Sequence, residues 1–375
     1  MKQRLVICRS NPIAPDPRVE KEARTLSQAG YAVTLVGWDR SASLPREDVL
    51  DGMRIIRLPI RAEYASGMRN LPDLLRWLMH HRHDYDLIHA CDFDTILPAL
   101  LCRRLYRKKV IYDIFDFYAD HLRLTPEFIK QTIRAVDLRA IDRADAVILV
   151  DDSRWEQIHG SRPQHSAIIY NSPEDIPFSA ERGQAITPDQ ARPHGSGLHI
   201  VYIGLLQVER GLFELVTVLR QHPDWSLDLA GFGGDETRLV NLVEDMPNVR
   251  WYGRIPYPRA IELSAAADIL IATYDPSIPN HRYSSPNKVF EAMLLGKPVI
   301  AARDTNMDRI IQQADCGLVV PYGDVPALEA ALLRLQSDSA LRQRLGKNAR
   351  LAYDTTYSWG IMADRLLRLY QEVLG

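Results

Sequence analysis

The sequence has few of the features that mark disulfide-rich, zinc-binding or nucleic-acid-binding proteins. It has only four cysteines in 375 residues, widely spaced and without a C-x-x-C motif. This argues against a disulfide scaffold or zinc site and favours a reducing, cytoplasmic compartment. The 46 basic and 48 acidic residues give a formal net charge of −2. We therefore expect no polybasic surface and no nucleic-acid partner.

Long hydrophobic runs are also missing. No stretch of about 18 uncharged apolar residues occurs, and the apolar run near the start is too short for a signal peptide. We therefore expect a cytoplasmic chain that does not span a membrane. Residues 68–86, "MRNLPDLLRWLMHHRHDYD", interleave leucines with arginines. They predict either peripheral contact with anionic lipid at the inner face of the membrane or a helix packed on the core with a solvated basic face.

Short apolar runs alternate with longer amphipathic ones along most of the chain, a pattern that predicts parallel sheets wrapped in helices. The alternation stops at residues 179–197, which are polar, rich in Gly and Pro, and typical of a linker. We predict an α/β protein with two doubly wound, Rossmann-like domains facing across a cleft, at residues 1–178 and 198–356. Residues 357–375 predict a helix that crosses back to the first domain. The predicted strands are "RLVICR", "AVTLVGW", "MRIIRLPI", "DLIHA", "KVIYD", "AVILV", "SAIIY", "LHIVYIG", "WSLDLAG", "NVRWYG", "ADILIATY", "KPVIAA" and "CGLVVP".

Doubly wound sheets bind ligands beyond the carboxyl ends of their strands. In "YSSPNKVFEAMLLGKPVI", residues 283–300, Ser285 is predicted to cap a helix and Pro286 to occupy its first position. Asn287, Lys288 and Glu291 then follow in the first turns. One interpretation is a capped helix with a local Lys–Glu pair, worth about 0.2–0.5 kcal/mol. The other is a phosphate site at the helix N-terminus, with Glu291 accepting hydrogen bonds from sugar hydroxyls.

A second junction, "IVYIGLLQVERGLFELVTVL", favours the phosphate interpretation. Its strand is predicted to end at Gly204, and Arg210 precedes a glycine that opens the next helix. Alone, Arg210 is typical of a solvated surface arginine. Together with Lys288 it predicts a diphosphate clamp.

The second half of the chain resembles the retaining family 4 glycosyltransferases of the GT-B fold. The resemblance rests on "YIGLLQVERGLFELV", on the segment from "LAGFGGDETRL" to "ADILIATY", and on "SPNKVFEAMLLGKPVIA". The first half agrees more loosely, through "DPRVEKEARTLSQAGYAVTLV", "DYDLIHACDFDTILPALL", "KVIYDIFDFYAD", "RADAVILVDDS" and "AIIYNSPE".

The resemblance implies a catalytic and donor-binding set in the second domain. Arg210 and Lys288 would neutralise the donor diphosphate, and Glu291 would hold the ribose. The remaining implied donor-binding residues are Gly204, Gly231, Gly233, Ser285 and Asn287.

The chain departs from the family pattern at three positions. Leu205 stands where many members have a second phosphate-binding arginine, and Tyr283 where many have the first glutamate of a pair. Phe115 replaces a histidine that commonly contacts the donor sugar. Asp116 or Asp113 is the candidate for that polar role, and Asp116 is taken as the catalytic one.

The first domain is expected to bind the acceptor, because several polar residues follow its predicted strands. Two of them have simpler alternatives, since Asp16 precedes Pro17 as a good helix cap and Asp94 could cap a helix from Thr95. "DFD" matches the D-x-D of metal-dependent glycosyltransferases, but that motif belongs to a one-domain architecture, so no metal is predicted. The candidate acceptor-binding residues are Asp16, Arg18, Asp92, Asp94 and Asp113.

The predicted function is therefore transfer of a sugar from a nucleotide-diphosphate donor to an acceptor hydroxyl. The acceptor would be a surface glycan or a lipid-linked saccharide, and transfer would proceed with retention, without metal and without a cofactor besides the nucleotide sugar. Two alternatives remain: a nucleotide-sugar isomerase resembling a 2-epimerase, and a non-catalytic nucleotide-sugar-binding subunit.

Overall fold

The chain forms two compact units in the computed structural model, which describes residues 2–59, 71–122, 125–175, 197–283 and 285–375. The first unit is Met1–Tyr170 with Gly360–Gly375, and the second is Asn171–Trp359. The first boundary falls before the predicted residue 178, because Asn171 donates a hydrogen bond to the Ser285 carbonyl at 2.9 Å within the second unit. The predicted linker, residues 179–197, lies outside the described residues except for Gly197.

The first unit contains an eight-stranded sheet in its described part, in the order β3-β4-β2-β1-β5-β6-β7-β8. All neighbouring strands are parallel except β3 and β4. The strands are β1 (Arg4–Cys8), β2 (Ala32–Trp38), β3 (Glu47–Leu50), β4 (Met53–Leu58), β5 (Leu87–Cys91), β6 (Lys109–Ile114), β7 (Ala146–Leu149) and β8 (Ser166–Ile168).

Helices cover this sheet, and the last of them comes from the end of the chain. Tyr370 in that helix hydrogen-bonds to His89 on β5, and Arg365 donates to the Ile168 carbonyl at 3.1 Å. The helices are α1 (Pro17–Gln28), α2 (Leu71–His80), α3 (Phe93–Tyr106), α4 (Tyr118–His121), α5 (Glu127–Arg143), α6 (Arg154–Gln157) and, after those of the second unit, α15 (Trp359–Leu374).

The second unit contains a six-stranded parallel sheet in its described part, in the order β11-β10-β9-β12-β13-β14. Its strands are β9 (His199–Leu205), β10 (Ser226–Phe232), β11 (Val249–Trp251), β12 (Ile269–Ala272), β13 (Val299–Ala302) and β14 (Gly317–Val320). Its helices are α7 (Leu212–Gln221), α8 (Glu236–Val243), α9 (Tyr257–Ala266), α10 (Pro279–Arg282), α11 (Asn287–Leu294), α12 (Met307–Ala314), α13 (Val325–Ser337) and α14 (Ser339–Ala352). Val208–Arg210 is a 3₁₀ turn, and Tyr353–Tyr357 is π-helical.

The predicted class, an α/β protein with two doubly wound sheets, is confirmed. Central strands such as Leu87–Cys91 and Ile269–Ala272 are buried along their whole length, as expected of parallel strands covered on both faces. Each predicted strand is present. The sequence did not predict Glu47–Leu50, because this edge strand is short, charged and mostly exposed, and so has no apolar signal.

Candidate functional site

In the second unit, the predicted donor residues surround the point where the strand order reverses. Strand β9 lies between β10, which follows it in sequence, and β12, which begins the other half of the sheet. Ligand crevices open at such switch points, beyond the carboxyl ends of the strands. Gly204 lies near the end of β9, and Tyr274 follows the end of β12.

Arg210 is held at this edge by its backbone. It ends the 3₁₀ turn, and Gly211 follows with a φ of 68° before α7 begins. Thr273 Oγ1 donates a hydrogen bond to the Arg210 carbonyl at 3.0 Å. A Cβ on Gly211 would lie 2.4 Å from Thr273 Oγ1. Glycine is therefore required here both for its positive φ and for the close approach of β12.

Lys288 is the second residue of α11, and its start differs from the prediction. The cap position is Pro286, and Asn287 is the first helical residue. The predicted cap by Ser285 is therefore wrong, and the buried Ser285 hydroxyl has no hydrogen-bond partner in the described parts of the chain. Asn171 donates a hydrogen bond to the Ser285 carbonyl. Within the described ranges, no side chain caps the N–H groups at the start of α11.

The Lys288 ammonium is buried without a hydrogen-bond partner among the described residues. Nζ lies 3.7 Å from the centre of the Tyr202 ring and 5.4 Å from that of Tyr274. Lys288 therefore donates no hydrogen bond to Glu291, its partner in the alternative interpretation of a local Lys–Glu pair. Burial and the nearby Arg210 lower the pKa of Lys288 to about 7, whereas Glu291 acts in the opposite direction.

Arg210 lies on the same aromatic ring. Its Cζ atom is 4.0 Å from the centre of the Tyr274 ring, and its buried Nε has no partner within the described ranges. The structure therefore brings Arg210 and Lys288 together, as the sequence predicted. The sequence did not identify Tyr202, whose ring contacts Lys288, or Tyr274, whose ring contacts both cations; only their positions within or just after buried strands could have indicated them.

The predicted glycines allow close backbone packing beside these cations. A Cβ on Gly204 would lie 3.1 Å from Lys288 Nζ, and one on Gly231 would lie 1.8 Å from the Gly204 carbonyl oxygen. A Cβ on Gly233 would lie 2.4 Å from the Leu206 carbonyl oxygen. Side chains at these positions would therefore displace the backbone at the ends of β9 and β10.

Two further positions complete this edge. Glu291 lies one turn after Lys288 in α11, and its charge raises the pKa of Tyr257, in addition to the larger effect of burial. Leu205, which replaces the arginine of many family members, is partly exposed. Lys288 Nζ lies beside the adjacent Gly204, 3.1 Å from where a Cβ would stand on that glycine.

In the first unit, the candidate acceptor residues Asp16 and Asp92 contact Arg9, which the sequence did not predict as a site residue. Arg9 directly follows β1, donates to Asp16 at 3.2 Å, and pairs closely with Asp92 after the neighbouring β5. Asp16 also accepts from Val19 N at 3.2 Å, so its alternative role as the cap of α1 is confirmed. Arg9 lies at the β1–β5 switch point of this sheet.

Two aspartates follow β5: Asp92 is half-buried against Arg9, and Asp94 is buried. Asp92 has φ 64° and ψ 172°, and its carboxylate accepts from the backbone N–H of Phe115 at 2.9 Å. Burial, and then the charge of Asp92, raise the pKa of Asp94 to about 6. Helix α3 begins at Phe93, so the predicted cap of a helix from Thr95 by Asp94 is wrong.

Phe115 and Asp116 lie at the end of β6. The Arg9 and Arg18 guanidiniums lie 4.1 Å and 4.8 Å from the centre of the Phe115 ring. Asp116 pairs with Arg154 at 3.1 Å, and nearly half of its side chain is exposed. Asp116 therefore remains accessible, as a role in sugar binding requires.

Arg18 and Asp113 are fully enclosed rather than open to a ligand. Arg18 Nη2 lies 3.0 Å from Asp113, and Nε lies 3.2 Å from Glu22. Burial raises the pKa of Glu22 well above its usual range, and the adjacent Asp113 raises it further. Although burial acts in the opposite direction, Arg18 and His89 lower the pKa of Asp113. Arg18 and Asp113 are therefore surrounded by other protein groups, and their role in acceptor binding stays a prediction.

The same cluster contains a possible set of metal ligands. His89, Cys91 and Asp113 offer atoms within 4.8 Å of one another. However, Asp113 is already paired with Arg18, and His89 Nδ1 lies 2.6 Å from the Tyr370 hydroxyl. Burial raises the pKa of Cys91 well above its usual range, which favours the thiol over the thiolate that binds metals. These contacts describe a buried hydrogen-bonded network that joins α15 to the sheet.

The fold of this chain is shared by proteins of known structure. Sucrose-phosphate synthase from Thermosynechococcus elongatus superposes with a TM-score of 0.81 at 20% identity, over 100% of this chain and 99% of that one. HepE from Anabaena, solved with UDP and glucose, superposes with a TM-score of 0.74 at 17% identity, over 99% and 100%. The chain has the GT-B glycosyltransferase fold.

Sequence comparisons agree for both halves. Residues 15–171 match the glycosyl transferase 4-like domain, and residues 187–352 match the glycosyl transferases group 1. Glycogen synthase from Mycobacterium tuberculosis is 21% identical over 382 residues, covering 92% of this chain and 87% of that protein. A GDP-mannose-dependent phosphatidylinositol monomannoside mannosyltransferase from Corynebacterium glutamicum is 32% identical over 156 residues, or 41% of each chain. This chain belongs to the family 4-type glycosyltransferases.

Proposed function

We propose that this glycosyltransferase moves a sugar from a nucleoside-diphosphate donor to an acceptor hydroxyl, with retention and without metal. The second unit would bind the donor and the first unit the acceptor, a surface glycan or a lipid-linked saccharide. The observation that carries the proposal is the buried Lys288 ammonium, which has no hydrogen-bond partner among the described residues and lies with Arg210 against Tyr274 near the start of α11.

This arrangement suits a departing diphosphate. Breaking the bond between the anomeric carbon and the phosphate oxygen places negative charge on the diphosphate and positive charge on the sugar. Fixed cations at that oxygen stabilise the transition state more than the ground state, by about 3 kcal/mol each. Arg210 and Lys288 would supply the charge that a metal supplies in other enzymes.

Retention follows if the acceptor attacks from the face that the diphosphate leaves. The acceptor oxygen forms the new bond to the anomeric carbon, and its proton passes to the leaving phosphate. No side-chain base is then required, which accommodates Phe115 in place of the family's histidine. The exposed Asp116 would contact the sugar or the acceptor hydroxyl.

Binding and chemistry can be tested in sequence. We expect one class among UDP-, GDP- and ADP-sugars to raise the melting temperature, because a ligand at 100 times its dissociation constant adds about 2.7 kcal/mol of stability. Turnover with that donor should survive EDTA treatment. The anomeric proton of the product, observed by NMR, should have the donor's configuration, and an inverted product would refute retention.

The two alternatives differ from transfer in simple assays. An isomerase would convert the nucleotide sugar without any acceptor. A non-catalytic subunit, which the replacements at Tyr283 and Phe115 would explain, would bind the nucleotide sugar but turn it over neither with an acceptor nor by hydrolysis.

Membrane contact is a separate part of the proposal. Within the described ranges, no helix has the length and apolar character needed to cross a bilayer. Helix α2 buries Leu74 and Leu78, and Leu75, Trp77 and Met79 pack against the same core, which supports the core-packed alternative. Arg76 and the neighbouring α3 residue Leu105 remain exposed and could contact anionic lipid at the inner face of the membrane. A flotation assay with acidic vesicles would disprove this contact if the protein stayed at the bottom.

A further inference from the structure

Tyr274 contacts both cations of the proposed donor site. Its ring centre is 4.0 Å from the Arg210 Cζ atom and 5.4 Å from Lys288 Nζ, and the side chain is only 7% exposed. A second ring, Tyr202, lies 3.7 Å from the same ammonium. Neither Lys288 Nζ nor Arg210 Nε has a hydrogen-bond partner among the described residues.

The segment around Tyr274 is fixed to the segment that carries Arg210. On one side of Tyr274, Thr273 Oγ1 donates to the Arg210 carbonyl at 3.0 Å. On the other side, the Asp275 N–H donates to the Glu209 carbonyl at 3.0 Å. These two hydrogen bonds lie on either side of Tyr274, so the backbone that carries its ring is held beside the backbone that carries Arg210.

A ring in this position has a specific electrostatic effect. The face of an aromatic ring attracts a cation, by about 0.5 kcal/mol at exposed sites and about 2 kcal/mol or more when the pair is desolvated. The ring does not accept the strong hydrogen bonds that a carboxylate would, so the N–H groups keep their capacity to donate. It thus offsets part of the cost of burying two like charges while leaving them available to an anion.

We propose that Tyr274 is a positioning residue for the donor diphosphate, whose ring holds Arg210 and Lys288 ready in the unliganded protein. The inference rests on the proposed function, since it concerns the same cations. It adds the requirement for an aromatic face at this position. Burial raises the pKa of Tyr274, and a hydrogen bond between its hydroxyl and Arg210 acts in the opposite direction, so Tyr274→Phe is needed to separate the hydroxyl's contribution from that of the ring.

The test compares Tyr274→Phe, which keeps the ring, with Tyr274→Leu and Tyr274→Met, which fill space without one. Calorimetry would measure the binding of inorganic pyrophosphate and of UDP, GDP and ADP. We expect Tyr274→Phe to bind within about threefold of the wild type, and both aliphatic variants to bind about tenfold more weakly. Thermal unfolding would confirm that each variant is folded, and the methionine variant serves if the leucine variant is not.

Two results would overturn the inference: aliphatic variants that bind pyrophosphate as tightly as the wild type, or a Tyr274→Phe variant that loses as much affinity as they do. The proposed function fails in a different way. If pyrophosphate binding depends on the ring but no nucleotide sugar is bound or turned over, the positioning role stands and the transferase proposal falls.

Discussion

The two units treat buried positive charge in opposite ways. In the second unit, Lys288 Nζ and Arg210 Nε lie against aromatic faces without hydrogen-bond partners in the described parts of the chain. In the first unit, three arginines near the carboxyl ends of the strands are paired with carboxylates. These pairs are Arg9 with Asp16 and Asp92, Arg18 with Asp113, and Arg154 with Asp116.

This difference separates the ligands that each unit can bind. A buried cation without an anion is costly, and an incoming diphosphate recovers that cost. A neutralised cluster gains little from an anion, but its exposed carboxylate oxygens can accept hydrogen bonds from neutral sugar hydroxyls. The contrast therefore supports the assignment of the donor to the second unit and the acceptor to the first.

The largest expected effect is on stability, when both carboxylates that face Arg18 are removed. In the double variant Asp113→Asn, Glu22→Gln the guanidinium is buried without an anion, and we expect the free energy of unfolding to fall by about 3–5 kcal/mol. Glu22→Gln alone should cost less than the double variant, because Asp113 still pairs with Arg18. Denaturant unfolding, followed by circular dichroism, would measure the free energy of unfolding of each variant. A loss in Glu22→Gln as large as that in the double variant would contradict the assignment of Asp113 as the partner of Arg18.

The next effect is on catalysis, when either cation of the proposed donor site is removed. Arg210→Met and Lys288→Met should each lower kcat/KM about 10²–10³-fold, because each cation is assigned to the departing diphosphate. The matched control is Arg220→Met in α7, the helix that follows Arg210. Arg220 is exposed and paired with Asp245. That control should stay within about twofold of the wild type. Steady-state kinetics with the identified donor would expose an incorrect assignment if Arg220→Met were as damaging.

The third effect is a dependence of donor binding on pH. With its pKa lowered to about 7, Lys288 is largely uncharged above that pH, and a bound diphosphate favours the charged form. Binding then takes up a proton, so affinity is highest below the lowered pKa and is lost as the pH rises through it. We expect affinity for a nucleoside diphosphate to fall about 50-fold from pH 7 to pH 9. Lys288→Arg should remove this slope because a guanidinium stays charged; calorimetry showing equal slopes would exclude Lys288 as its source.

The smallest expected effect is a shift in the midpoint of the pH dependence of donor binding. Glu291 raises the pKa of Lys288 against the effects of burial and Arg210. Glu291→Gln should therefore move the midpoint of the pH dependence of binding to lower pH, by about one unit or less. Glu262→Gln, on the exposed face of Tyr257–Ala266, is the control and should leave the midpoint unchanged. A midpoint that moved to higher pH in Glu291→Gln would mean that another group is titrating.

Much of the fold was predictable because its signals are local. Apolar runs bounded by polar turns identified all the strands except Glu47–Leu50, which is charged and exposed on an edge. The association of Arg210 with Lys288 was also predictable, because each follows a buried strand of one sheet and such strand ends converge. Helix starts were less predictable, and α11 begins one residue later than "SSPNK" indicated.

Other parts of the site depend on neighbours that are distant in sequence. Tyr202 and Tyr274 meet the same ammonium only because β9 and β12 pair side by side. Arg9 meets Asp92 only because β1 pairs with β5. Arg18 and Asp113, predicted to face a ligand, are instead enclosed with Glu22, because the side chains of α1 pack onto the sheet.

The amino-acid sequence by itself determined the two doubly wound sheets, the turns at the strand ends and the two cations that mark the second unit, since these follow from local periodicity and residue type. The tertiary structure alone decided which charges are neutralised and which remain available. The reason is that burial and strand pairing set the surroundings of each charged group, and these arise only when distant segments pack together.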